Sequence, residues 1–134
     1  MNFLNKLFFS QKKSKKGRLN LTVSDRQKIE DIWTVIEQLQ SLVKPSAFRE
    51  AVIEADKLVD FALDKIYPGK DNAAERLKEA KELFERNRQD YENLWYAHKL
   101  RNEMVHTVGF ELPTQEAKVI LDYFKRALEI IGVK

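Results

Sequence analysis

At 134 residues the chain has the length of one domain, with 43% apolar and 34% charged residues, too apolar for a disordered chain and too polar for a membrane bundle. It has no cysteine, which excludes a disulfide scaffold, a thiolate zinc site and a thiol nucleophile. The formal charge of +3 is unevenly spread and excludes little until it is divided.

Residues 1–18 carry Lys6, Lys12, Lys13, Lys15, Lys16 and Arg18 and no acid, so this stretch holds +6 and the remaining 116 residues hold −3. The basicity belongs to an N-terminal arm, and the body gives no reason to expect a surface built for nucleic acid by charge alone. Within the arm, Met1, Phe3, Leu4, Leu7, Phe8 and Phe9 gather on one side if the segment is helical, and a polybasic run follows. An apolar wedge beside cations suits an anionic bilayer surface, where each Lys or Arg contributes about 1 kcal/mol. Phe3, Leu4, Leu7, Phe8, Lys12, Lys13, Lys15 and Lys16 are the expected membrane contacts. The charges follow the apolar stretch, unlike a secretory signal, so the expected location is cytoplasmic, peripheral at the inner face of the membrane. The alternative is a non-specific basic arm.

Residues 19–134 form the second unit, a helical body punctuated by Pro45, Pro68-Gly69, Gly109, Pro113 and Gly132. Between these the apolar residues recur at spacings of three and four. A first helix is predicted from Ser24, with Gln27 completing a capping box. Its stripe is Ile29, Ile32, Trp33, Ile36, Leu39 and Val43, and Pro45 ends it. A second begins near Ser46 and carries a broad stripe from Phe48 to Ile66. Asn72 and Glu75 make another capping box, opening a short charged helix with Leu77, Ala80, Leu83 and Phe84. A fourth helix runs from about Asp90 to His106. Thr114, after Pro113, caps a fifth that Gly132 closes. Val108, Phe110 and Leu112 alternate over too short a span for a strand and read as a loop pinned by Phe110. The predicted fold is all-α, an up-and-down bundle of four long helices and one short one.

The fourth helix carries the chemistry. Leu94, His98, Arg101, Asn102 and Val105 share a stripe, and three of the five are polar. Truncating one partner of a buried ion pair costs ~3–5 kcal/mol, so Arg, Asn and His on an inner face need a cleft, a partner or a ligand. The structural alternative for Arg101 is a salt bridge to Asp56 or Glu54 of the second helix. His98 reads as a supporting polar residue or a satisfied core histidine, and His106 as a helix-end residue favoured by the macrodipole when protonated. His98 and His106 lie ~12 Å apart along the helix axis and cannot share a metal within one chain. Neither calcium-loop spacing nor a Gly-rich phosphate loop is present, so no metal or cofactor is expected.

The run Arg101-Asn102-Glu103-Met104-Val105-His106, with a polar residue directly after the Arg and late in a long helix of a small bundle, resembles the HEPN superfamily (higher eukaryote and prokaryote nucleotide-binding). Leu94 to Asn102, the segment Ala51 to Lys57, and Glu75-Arg76-Leu77-Lys78 extend the resemblance to small bacterial HEPN-like proteins over roughly residues 24–132. The resemblance implies metal-independent RNA cleavage at a site shared by two protomers, with Arg101, Asn102 and His106 from each chain. The side chains suit that chemistry. Imidazole serves as base or acid near neutrality, and Arg gives two parallel hydrogen bonds to phosphate oxygens. Asn102 would position His106 or the phosphate. One His per chain cannot readily be both acid and base, which gives a homodimer a chemical logic. Val108 stands where members regulated by nucleotide transfer carry Tyr, so that modification is not expected. The runner-up function is a non-catalytic module that binds a nucleotide, RNA or protein through the same groove.

Overall fold

The computed structural model describes residues 17, 18 and 20–134. The membrane contacts expected between Phe3 and Lys16 lie outside the described residues. Four long helices, α1 (Val23–Ser41), α2 (Pro45–Ile66), α4 (Arg88–His106) and α5 (Thr114–Ile131), are joined by a short α3 (Ala73–Glu79) that continues into a 3-10 turn, Ala80–Phe84. There is no strand among the described residues. Principal packing runs α1 on α2, α2 on α5 and α5 on α4, with α3 and the 3-10 turn bridging α2 to α4.

The central pair is α2 and α5. Every residue of the stripe Phe48, Ala51, Val52, Ala55, Leu58, Val59, Ala62, Leu63 and Ile66 is buried. So are Ala117, Ile120, Leu121, Phe124, Leu128 and Ile131 on α5. Alanines at 51, 55, 62 and 127 let the helix axes approach, while Phe84, Phe124 and the Leu and Ile side chains fill the space between them. Burying each large apolar side chain contributes roughly 1.5–3 kcal/mol, and this core holds the bundle together.

Helix ends depart from the sequence expectation in three places. Thr22, not Ser24, caps α1: its hydroxyl accepts from Asp25 N–H, and the Asp25 carboxylate accepts from Thr22 N–H. Buried Leu21 draws the chain inward immediately before the turn, so the helix starts earlier. The shared hydrogen bond from Thr22 holds the Asp25 carboxyl below its ordinary value. Pro45 does not end α1. It opens α2 at the first helical position, where a missing N–H costs nothing. The α1 ladder stops at Ser41, and Val43 turns the chain in the left-handed region at φ 51°. Pro113 occupies the cap position of α5, and Thr114 is its first residue. The Asn72 cap forms as expected on its own side, accepting from Glu75 N–H, while the Glu75 carboxylate pairs with Lys78 instead.

Two arginines close the far end of α5. Arg18 donates to the Ile130 carbonyl and Arg26 to the Gly132 carbonyl, placing cations at a helix C-terminus where orphan carbonyls and the dipole favour them. Gly132 stands at φ 86° as the left-handed cap. Gly17 rests on the end of α2: a Cβ there would sit 2.8 Å from Ile66 Cγ2 and 3.2 Å from its carbonyl oxygen. Gly17 and Arg18 therefore touch the body, although charge groups them with the arm. No helix among the described residues is long and apolar enough to cross a membrane.

Candidate functional site

Helix α4 is held to the bundle by Leu94, Ala97 and Met104. That orientation turns His98, Arg101 and Asn102, which share one face at spacings of three and four, toward α2. Asp56 meets them there. It is a carboxylate on the core-facing stripe between Val52 and Val59, and among the described residues it and His98 are the buried polar side chains.

Both oxygens of Asp56 are engaged. Oδ1 lies 2.8 Å from His98 Nδ1, and Oδ2 lies 3.4 Å from Arg101 Nε. The Arg101 contact is between charges and not a hydrogen bond, since the Nε–H is buried without an aligned acceptor. Arg101 Nη1 donates to Asn102 Oδ1 at 3.1 Å. Asn102 Nδ2 approaches His98 Nε2 at 3.4 Å. Trp95 sets its indole edge-on to the imidazole, with centroids 6.1 Å apart. The His98 and Asp56 side chains are 10% and 12% exposed, whereas Arg101 retains 21%. Among the described residues its Nη2 has no partner.

The next turn of α2 repeats the device. Asp60 receives Arg76 Nε at 2.6 Å and Nη2 at 3.0 Å, a bidentate pair tying α3 to α2. That hydrogen bond, opposed by burial, raises Arg76 further above its ordinary value. Asp56, Asp60 and His98 line a shared void of only about 10 Å³, at the lower limit for a single water. The cluster is thus closed to a small molecule, and what it presents outward is the end of Arg101 with Asn102.

The expected site residues divide accordingly. Asp56, His98, Arg101 and Asn102 come together. Of the two acids offered as partners for Arg101, Asp56 is engaged, while Glu54 lies beside Lys57 at 3.7 Å on the surface. His106 is exposed at the end of α4 and makes no hydrogen bond or ion pair with the described residues. It lies five positions after Arg101, about 140° around the helix. Val105 also faces outward. The Asp60–Arg76 pair was not anticipated. Its signal was present, since Asp60 follows Asp56 by four residues on one helix face. A separate cavity of about 620 Å³ lies at the α2 N-terminus and the α4–α5 loop, lined among others by Phe48, Arg49, Met104, Phe110 and Thr114. Arg49 donates across its edge to the Met104 carbonyl. Among the described residues, no group of three His, Asp or Glu side chains is placed to hold a metal ion.

No protein-family model matches the chain, and no curated protein or solved structure matches it.

Proposed function

We propose that this chain is a HEPN-like bundle that binds RNA and cleaves it without a metal, as a homodimer in which two α4 helices meet. The observation that carries the reading is Arg101: a guanidinium held in place by Asp56, with Nη2 left open beside Asn102 on a half-exposed helix face. A fixed guanidinium with free N–H groups matches phosphate oxygens. In the reaction, one His106 takes the proton of a ribose 2′-hydroxyl and O2′ attacks the adjacent phosphorus. The bond to O5′ breaks, and the second His106 returns a proton to the leaving oxygen. Arg101 stabilises the negative charge that develops on the phosphate, and Asn102 steadies it by accepting from Nη1. Two chains supply the two imidazoles, because a single α4 carries one outward-facing His.

A second reading, a binding module without catalysis, draws on one specific observation. Arg101 and His106 diverge around α4, so a lone chain offers a phosphate contact without an acid–base pair.

The deciding experiment is RNA cleavage by full-length protein in EDTA, beside Arg101→Ala and His106→Ala. Cleavage by wild type and a loss of roughly 10²–10³ in each variant is expected. Intact RNA that is nonetheless bound selects the binding module, and intact RNA without binding overturns the nuclease reading.

A further inference from the structure

Asp56, His98, Arg101 and Asn102 close a ring, and their hydrogen-bonding capacities fix its direction. Arginine only donates, so Nη1 must meet the carbonyl oxygen of Asn102, at 3.1 Å. That turns the Asn102 amide nitrogen, also only a donor, toward His98 Nε2 at 3.4 Å. Nε2 is therefore an acceptor. The single imidazole proton sits on Nδ1 and is donated to Asp56 Oδ1 at 2.8 Å. The second carboxylate oxygen returns to Arg101 Nε at 3.4 Å.

We infer that Asp56, His98 and Asn102 are positioning residues that hold the Arg101 guanidinium while His98 is neutral, and that a second proton on His98 opens the ring and frees Arg101 Nη1. A proton on Nε2 sets two donors against each other across the contact with Asn102. Asn102 relieves this by turning its amide so that Oδ1 faces His98. Its NH₂ then faces Arg101 Nη1, again donor against donor, and the guanidinium end swings out.

The charged groups facing the imidazole come from three helices. From α2, Asp56 touches His98, and Asp60 lines the same void. Asp60 is engaged by Arg76 of α3, and Arg101 of α4 shares Asp56. On helix α5, Glu116 pairs with Tyr96 and Arg126 with Asp90. Released Nη1 and open Nη2 together make the two-pronged fork that grips a phosphate. Acid would thus strengthen phosphate binding at Arg101. That consequence rests on the function proposed above; the ring does not.

The test uses full-length ¹⁵N-labelled protein without nucleic acid, followed by imidazole, guanidinium and side-chain amide NMR from about pH 8 to pH 5, the range in which an imidazole titrates. His106→Gln assigns the His98 signals. Expected are the Nδ1–H tautomer at the alkaline end and Arg101 and Asn102 signals that move together with the His98 midpoint. In Asn102→Asp, a carboxylate accepts from both Arg101 and protonated His98, so the Arg101 response to pH is lost. An Nε2–H tautomer, a His98 that does not titrate in this range, or Arg101 signals indifferent to it overturn the proposal. A protein that shows the coupled titration yet neither binds nor cleaves RNA keeps the ring and loses the function. Cleavage without the coupled titration does the reverse.

Discussion

Tyr67 shows how a single side chain sets a pH limit on this bundle. Its hydroxyl donates to Glu82 at 2.8 Å, joining the end of α2 to the 3-10 turn. Burial, and then that hydrogen bond, push its ionisation well above the ordinary value of 10.0. The folded chain therefore keeps the phenol proton at a pH where the unfolded chain has released it. This contribution to stability is complete below about pH 10 and is lost as pH rises from there through the folded-state value. Tyr67→Phe should lower stability at pH 7 by about 1 kcal/mol and should flatten the decline above about pH 10. Urea midpoints of both proteins on either side of that pH check it, and parallel declines would refute the assignment. At this scale the sequence revealed which residue types sit together on α4, and it narrowed the partner of Arg101 to two acids. Choosing Asp56 over Glu54 required the angle between α2 and α4. Glu54 and Asp56 are two positions apart on a helix and so point in different directions.

Between elements, the tightest point is the turn from α1 to α2. Val43 occupies the left-handed region at φ 51° and is 69% exposed, so strain there is not offset by burial. A β-branched residue in that region costs about 1–2 kcal/mol, and glycine returns about 0.5–1 kcal/mol of that as unfolded-state entropy. Val43→Gly should therefore stabilise the protein by about 0.5 kcal/mol, seen as a higher midpoint in thermal or urea unfolding; a lower midpoint would show that the turn depends on the valine. The helices themselves were legible because the stripes of α2 and α5 are long and strictly periodic. Their ends were less so. Thr22-Asp25 and Ser24-Gln27 are both good capping patterns, and the burial of Leu21, a tertiary contact, selects between them. Pro45 reads equally well as a stop or as a first helical residue, and the backbone turn at Val43 decides.

For the molecule as a whole, the sequence made the all-helical architecture readable, since the core stripes carry it. The divergence of His106 from the polar cluster was open to the same arithmetic, five residues being 140° of helix, but which side of α4 faces inward emerges from packing on α2 and α5. The arm can be tested as a separable element. Full-length protein should float with anionic vesicles, and a 17–134 form, which keeps Gly17 and Arg18 on the bundle, should not; equal flotation would assign the arm no role there. Helix α2 then acts as a spacer. Gly17 abuts Ile66 at one end, while Arg49 holds the Met104 carbonyl near the other, and the 17 positions between Arg49 and Ile66 span about 25 Å. Gly17, where the arm joins the bundle, and the exposed His106 therefore stand at opposite poles, one helix length apart.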